Sequence, residues 1–440
     1  MTSYRDIFKL VWPLALGMMN NALLQFTDRA FLAHESMASL EAVLPASMLA
    51  YVALGFFQSV VAYSGTFVAQ YHGARDERMC RMSYRAGTLI ALASGLAMLL
   101  MLPLGGLIFE TFSNGPEVIA RQKAYFGICT VGGVFLFGQM ATQAYFTGLG
   151  HTRLVLWINI LGNLLNAVLD PFLIFGWCGM PKLGIAGAAY ATVFATAVQW
   201  GALAFFARKT KGPLPLGGDL GRLVLRILRF GIPSGAYTVL SSLSFTIFVF
   251  FTGGVGHVEA AVSNAVFSVS YLLFAPMEGF SLGAQTLVGH ARGRGDDEDA
   301  MRVGVRTVWV GVLFAVVTSV AVLVFRRPIL ALYAPVDPVT AAPFQEMGMI
   351  LFTLMAAWQV FDAADTILAG ALKGAGDTKF VMWWMLFGAF AVWIPLVWIV
   401  SRVHNTMPAL WMTTVAYVVV ICCGSVVRWR CGKWRRIRIV

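Results

Sequence analysis

The chain has 440 residues, of which 59% are hydrophobic and only 12% are charged. Soluble globular proteins carry about 25% charged residues, so most of this surface is expected to face something other than water. A helix that spans a bilayer needs roughly 20 apolar residues. The composition therefore excludes a soluble enzyme, a disordered chain and a secreted disulfide scaffold, and it predicts an all-α integral membrane protein.

Apolar stretches of spanning length recur twelve times, six before a polar linker and six after it. In chain order the predicted spans cover about 7–32, 43–70, 86–109, 122–148, 154–176, 184–206, 226–253, 262–289, 303–325, 345–372, 380–400 and 408–428. The expected domains are an N-lobe (1–207), a cytoplasmic linker (208–229), a C-lobe (230–428) and a basic cytoplasmic tail (429–440).

The net charge of +11 comes from 32 Lys and Arg against 21 Asp and Glu. If the N-terminus is cytoplasmic, 25 of the basic residues fall in cytoplasmic segments, six fall in outside loops, and Arg29 lies within the first span. Cytoplasmic loops retain Lys and Arg. We therefore expect a multi-pass protein of the inner (plasma) membrane with both termini cytoplasmic. The expected partner of the basic residues is then the lipid bilayer and not a nucleic acid.

The two halves of the sequence resemble each other weakly, in the same order and in nearly constant register. Three matches carry this repeat: Pro13 with Pro233 and VAQYHGARD (68–76) with VGHARGRGD (288–296) at an offset of 220, and TGLGHTR (147–153) with KGAGDTK (373–379) at an offset of 226. Six helices per half is an even number, so both halves have the same orientation. They are expected to be parallel repeats, with a site near the midplane at their interface.

Two spans of the first half carry a polar stripe on an otherwise apolar helix. The first span has Asn21, Gln25 and Asp28 at i, i+4 and i+7. The fifth span has four such residues at i, i+4, i+7 and i+11: Asn159, Asn163, Asn166 and Asp170. Lipid cannot satisfy the hydrogen bonds of these groups, so both stripes are expected to face the bundle interior or water. The amides admit a plainer interpretation as interhelical contacts.

Carboxyl groups within spans are stronger functional candidates, because a charge at membrane depth is costly. In the second half Asp362 and Asp365 share a face of the tenth span, and Glu278 lies within the eighth. Burial disfavours an ionised carboxylate, whereas a bound cation favours it. A buried Asp can therefore exchange H⁺, Na⁺ or a cationic substrate, which is the chemistry of an antiporter.

Catalytic signatures are missing from the sequence. It contains no Walker A pattern, no HExxH, no GxSxG and no clustered His or Cys set. We therefore expect neither an enzyme nor a resident cofactor or structural metal. The glycine-rich segments GLGHTR and KGAGDTK are expected to be tight cytoplasmic turns, and the acidic run 296–299 is expected to be a solvated loop.

At these motifs the chain resembles the multidrug and toxic compound extrusion (MATE) family of secondary antiporters. The resemblance rests on WPLALG, FTDRAFLA, VAQYHGARD, TGLGHTR, NLLNAVLDPFLIFG and LGIAGAAYAT in the first half, and on TLVGHARGRGD and DTILAGALKGAGDT in the second. It implies twelve helices in two six-helix lobes, related by pseudo-two-fold symmetry, that form a V around a central cavity. It also implies export of organic cations or other amphiphiles by alternating access, in exchange for H⁺ or Na⁺.

The resemblance also implies roles for individual residues. Asp28 matches the family's first-helix acid, Asn166 and Asp170 match a polar pair of the fifth helix, and Asp362 matches a tenth-helix acid of the sodium-coupled branch. These four are the expected ion-coupling residues, with a transient Na⁺ possible at Asp28 and Asp170 or at Asp362. The substrate cavity is expected to involve Asn21, Gln25, Asn163, Thr192, Glu278 and Asp365.

Two positions depart from the family's pattern. The sodium-coupled branch carries a Glu in the seventh helix, where this sequence offers only about Ser244, and the residue after Asp28 is Arg29 instead of an uncharged one. The coupling ion, H⁺ or Na⁺, therefore stays open. The alternatives are a MATE-like flippase for lipids or polysaccharide precursors and, less in keeping with the motifs, an integral-membrane enzyme or a channel. The expected transporter works as a monomer on small amphiphilic or cationic substrates.

Overall fold

The computed structural model describes residues 2–35, 37–112, 115–209, 219–335 and 338–440, almost entirely as helix. The α-helices are α1 (Tyr4–Glu35), α2 (Met37–Ala62), α3 (Ser64–Gly73), α4 (Glu77–Leu99), α5 (Leu102–Phe112), α6 (Pro116–Gly148), α7 (Thr152–Phe175), α8 (Ile185–Lys209), α9 (Leu220–Gly253), α10 (His257–Gly293), α11 (Asp297–Tyr333), α12 (Pro338–Gly374), α13 (Thr378–Leu386), α14 (Ile394–Val403) and α15 (Met407–Arg430). A π-helical segment, Phe387–Trp393, joins α13 to α14.

Within these described ranges, twelve helical segments are long and apolar enough to cross a membrane. This confirms the predicted all-α, multi-pass membrane fold. Each predicted span falls within one of these segments or overlaps most of it, although several helices continue further into the polar flanks. The middle of the predicted linker, 210–218, lies outside the described residues.

The acidic run 296–299 is not a solvated loop, and that prediction was wrong. Asp296 is the N-cap of α11, and its Oδ1 accepts from the backbone N–H of Asp299 at 2.8 Å. Asp299 is itself buried, and its carboxylate accepts from the backbone N–H and the hydroxyl of Thr2 at 3.1 and 2.7 Å. Carboxylates are favoured at a helix N-terminus because they satisfy its unpaired N–H groups.

The two glycine-rich segments are tight turns, as predicted. Gly150, between α6 and α7, has a φ of 83°, and Gly376, between α12 and α13, has a φ of 96°. This left-handed backbone is costly for residues with a Cβ, so glycine suits both turns. The same turn therefore recurs at matching places in the two halves.

The chain forms two compact units, and neither of them is one contiguous half of the sequence. The C-unit contains Met1–Ala15, Ala236–Arg292 and Asp296–Arg438, and the N-unit contains Leu16–Gly235, Gly293–Gly295 and Ile439–Val440. Helices α1 and α9 are thus each divided between the units, two residues after Pro13 and two residues after Pro233. The lobe boundaries inferred from the sequence stay a prediction.

Small residues let these divided helices approach their neighbours closely, as is common between membrane helices. In the C-unit, a Cβ on Gly279 of α10 would lie 2.4 Å from the backbone of Ala15 in α1. In the N-unit, a Cβ on Gly235 of α9 would lie 2.8 Å from the carbonyl oxygen of Phe56 in α2. Each half therefore builds the same kind of close contact.

Candidate functional site

Three residues predicted from the polar stripes, and Thr192 from the family resemblance, meet in the N-unit. Asp170 of α7 is 0% exposed and makes a side-chain hydrogen bond to Asp28 of α1. Only one orientation of the Asn166 amide satisfies both its polar atoms. In that orientation Nδ2 donates to Asp28 Oδ1 at 3.2 Å, and Oδ1 accepts from the backbone N–H of Thr192 at 3.0 Å. The structure therefore brings Asp28, Asn166, Asp170 and Thr192 together.

The contact between Asp28 and Asp170 restricts the charge that this pair can carry. An ionised carboxylate only accepts hydrogen bonds, so two carboxyl groups bond to each other only when one of them carries a proton. Two unneutralised charges at this separation would repel each other strongly, since little water screens them. Asp170 Oδ1 has no hydrogen-bond partner among the described residues. The pair thus offers a proton site together with a free acceptor atom.

Amide side chains form a second network in the N-unit. Asn163 Nδ2 donates to Asn21 Oδ1 at 2.9 Å, which links α7 to α1. Gln199 of α8 donates to Asn163 Oδ1 at 3.2 Å, and its Oε1 accepts from Gln139 of α6 at 2.6 Å. Gln139 Nε2 also approaches Asn159 Oδ1 at 3.5 Å. These amides are satisfied mainly by one another, which fits their interpretation as interhelical contacts.

Sequence reasoning missed Gln139 of α6 and Gln199 of α8, because neither belongs to a stripe of amides and acids like those of the first and fifth spans. Gly162 of α7 makes room for Gln199, because a Cβ added at Gly162 would lie 2.1 Å from the Gln199 side chain. Gln25 is exposed on α1. The side chain of Arg29 lies outside the described residues.

The carboxyl groups of the second half gather in the C-unit. Asp365 of α12 accepts from the Ser425 hydroxyl of α15 at 2.6 Å. Asp362, one turn earlier, interacts electrostatically with both Asp365 and Glu278 of α10. Ser244 does not take the place of a seventh-helix acid, since it is buried and its hydroxyl donates to the Ser241 carbonyl of its own helix at 2.9 Å.

A lysine that sequence reasoning assigned only to loop charge belongs to this C-unit cluster. Lys373 lies in the last turn of α12, and its Nζ is 3.9 Å from the ring centroid of Tyr237 in α9. Its charge acts on both Glu278 and Asp365. The spacing offered a signal, because Lys373 follows Asp362 by 11 residues, about three helical turns.

The two groups of polar residues lie in different units, the Asp28–Asp170 pair in the N-unit and the Glu278 cluster in the C-unit. Among the described residues no three His, Cys, Asp or Glu side chains are grouped so as to hold a metal ion. Ionisable groups within membrane spans are functional candidates. The fold and these groups define the chain as a polytopic helical membrane protein with candidate functional carboxyl groups in both units.

Comparison with known proteins identifies the family. A family model, MatE, matches residues 13–172 and 233–399, so the two matched segments begin at Pro13 and Pro233. The match covers well over half of the chain, and the chain therefore belongs to the MatE family. This confirms the resemblance found in the sequence, and it makes the protein a member of a transporter family and not an enzyme.

Three of the similar proteins illustrate the match. A probable multidrug resistance protein NorM of Bradyrhizobium diazoefficiens is 26% identical over 90% of this chain and 86% of its own length. A probable NorM of Thermotoga maritima is 24% identical over 98% and 94%. A solved outward-facing multidrug resistance MATE transporter aligns with a TM-score of 0.87 at 17% identity, over 97% of this chain and 95% of that one. The last comparison concerns the fold alone.

Proposed function

We propose that this protein exports organic cations or other small amphiphiles across the plasma membrane in exchange for H⁺ or Na⁺, by alternating access. The observation that carries the proposal is the carboxyl pair of buried Asp170 and half-buried Asp28, held by hydrogen bonds within the N-unit. The names of the relatives, which are multidrug resistance proteins, support the substrate class.

The coupling step is an exchange of the cation held by this pair. Without a proton or Na⁺, the two carboxylates would lie together, unneutralised, in a poorly hydrated interior, which is costly. A proton restores the hydrogen bond between them. Na⁺ can take its place, because carboxylate oxygens are ligands of hard cations. The pair is therefore expected to be occupied by one cation at a time for most of the cycle.

A change of the cation bound by Asp28 and Asp170 affects three helices. Asn166 joins Asp28 of α1 to Thr192 of α8, so a change at the carboxylates alters hydrogen bonds on α1, α7 and α8 together. An ion drives a conformational equilibrium only through its different affinities for the two states. We infer that outward- and inward-facing states differ in the geometry of this pair, and that cargo release accompanies ion uptake.

The test is dye efflux from proteoliposomes under pH and Na⁺ gradients imposed separately. Asp28→Asn keeps the shape of the side chain but removes its ability to hold a cation, so gradient-driven efflux is expected to vanish while the protein stays folded. Asp219→Asn is a matched control, because Asp219 is exposed at the start of α9. Full efflux by the Asp28→Asn protein would exclude the proposed coupling, and lipid scrambling without a gradient would favour a flippase.

A further inference from the structure

Lys373 occupies a position that its place in the sequence does not suggest. It is partly buried, and its Nζ lies 3.9 Å from the ring centroid of Tyr237. A cation within about 6 Å of an aromatic face is attracted by the negative potential of the ring. One side of the ammonium group is therefore covered by an aromatic face.

Carboxyl groups from two helices act on the same ammonium group. Glu278 of α10 and Asp365 of α12 both interact electrostatically with Lys373. The Ser425 hydroxyl, donating to Asp365 at 2.6 Å, orients that carboxylate. An aromatic face combined with carboxylates is the arrangement by which proteins bind organic ammonium ions. The Glu278 side chain retains accessible surface, so it is not fully enclosed by its neighbours.

We propose that Tyr237, Glu278 and Asp365 form a binding site for an organic ammonium group, and that Lys373 occupies it as a tethered ligand. We call this place the ammonium site. The inference deepens the proposed function, on which its transport consequence rests: a cationic substrate that reaches the C-unit competes there with Lys373.

Tethering gives the lysine an advantage over free cations. A group on a short flexible tether has an effective concentration in the millimolar range. A cation that fits the ammonium site only as well as an alkylammonium does would be kept out. A substrate with further apolar contacts would displace the lysine. Lys373 would thus limit binding in the C-unit to cations whose affinity for the ammonium site is high enough to displace it.

The test is chemical rescue of a truncated lysine. Lys373→Ala removes three carbons and the ammonium group, and propylammonium has this same composition. Propylammonium is expected to raise the Tm of the purified variant by roughly 2 °C when it is in about tenfold excess over its Kd. Propanol at the same concentration supplies the carbons without the charge and is expected to have no effect.

Two matched variants control for unspecific effects. Lys373→Met fills the space that the propyl chain would need but leaves the place of the ammonium group empty, so propylammonium should not stabilise it. Lys379→Ala truncates an exposed lysine six residues further on and should not respond either. An equal response of all variants, or no response of Lys373→Ala, would overturn the proposal.

A second measurement applies if Lys373→Ala does not fold. Lys373→Met removes the competing charge, so the protein is expected to bind the fluorescent cation ethidium about tenfold more tightly than wild type does, about 1.4 kcal/mol. Lys373→Arg keeps a cation and should retain the wild-type affinity. Unchanged ethidium affinity of Lys373→Met would contradict the proposal.

These outcomes separate the inference from the proposed function. Rescue by propylammonium without any gradient-driven efflux would leave the ammonium site standing and remove the antiporter. Efflux that depends on a gradient, together with absent rescue and unchanged ethidium affinity, would keep the antiporter and remove the ammonium site.

Discussion

The two units place carboxyl groups inside similar helical repeats but neutralise them differently. In the N-unit, Asp28 and Asp170 bond to each other and to the Asn166 amide. In the C-unit, Glu278 and Asp365 are accompanied by the covalently attached ammonium group of Lys373. The N-unit pair therefore depends on an exchangeable cation, whereas the C-unit brings one of its own. We expect ion coupling to reside mainly in the N-unit.

The largest expected difference comes from the same substitution in both units. Asp170→Asn should reduce gradient-driven efflux at least about 100-fold, about 2.7 kcal/mol, because the pair can no longer hold a cation. Asp365→Asn still accepts from Ser425 and should stay within roughly fivefold of wild type, about 1 kcal/mol. Initial efflux rates from proteoliposomes, at matched protein content, measure both. An equal loss in the two variants would place coupling in both units.

The close helix contacts are expected to be alike in the two units. Gly279→Ala puts a Cβ 2.4 Å from the backbone of Ala15, and Gly235→Ala puts one 2.8 Å from the Phe56 carbonyl. Each should lower the free energy of unfolding by about 1–3 kcal/mol, with Gly279→Ala the larger. Thermal unfolding in detergent measures this. Gly201→Ala, a helical position with nothing within 4 Å, is the control and should be neutral or stabilising.

The amide network of the N-unit is expected to matter for stability more than for coupling. Gln199→Ala leaves Asn163 and Gln139 without a partner that each has in the native protein. Such buried groups cost about 1–3 kcal/mol each when they are unsatisfied, so the Tm should fall. Efflux per folded molecule should change little. A selective loss of coupling at unchanged Tm would mean that the network belongs to the ion pathway.

The smallest expected effect, a loss of stability on removing a helix N-cap, is again the same in both units. Asp76 caps α4 by accepting from the Met79 N–H at 2.9 Å, and Asp296 caps α11 in the same way, 220 residues later. Asp76→Ala and Asp296→Ala should each cost about 1 kcal/mol of stability. Asp296→Asn keeps the capping oxygen and should be nearly neutral. Chemical unfolding monitored by circular dichroism tests this, and a large asymmetry would argue against equivalent caps.

Much of the fold could be predicted because it follows from local properties. Span length, glycine turns and the register of Pro13 with Pro233 are all visible in the sequence. The meeting of Asp28 with Asp170 could be predicted as well, since a polar stripe in lipid requires a polar partner.

The rest depends on contacts that no local pattern encodes. The sequence pattern places Lys373 in a turn, whereas the structure has it in the last turn of α12, where its four-carbon stem lets the charge lie away from its own backbone. The burial of Asp299 depends on Thr2, almost 300 residues earlier. The division of α1 between two units is likewise indicated in the sequence only by the matched prolines, Pro13 and Pro233.

That division has a consequence for biosynthesis. The first half of α1 is translated before α10, because chains are synthesised from the N-terminus. Its packing partners in α10, Gly279 and Gly283, are translated much later. During that interval the surface around Val11 and Ala15 is without its final neighbour and must be covered by lipid or by the insertion machinery. The first half of α1 therefore reaches its native packing only after α10 has been made.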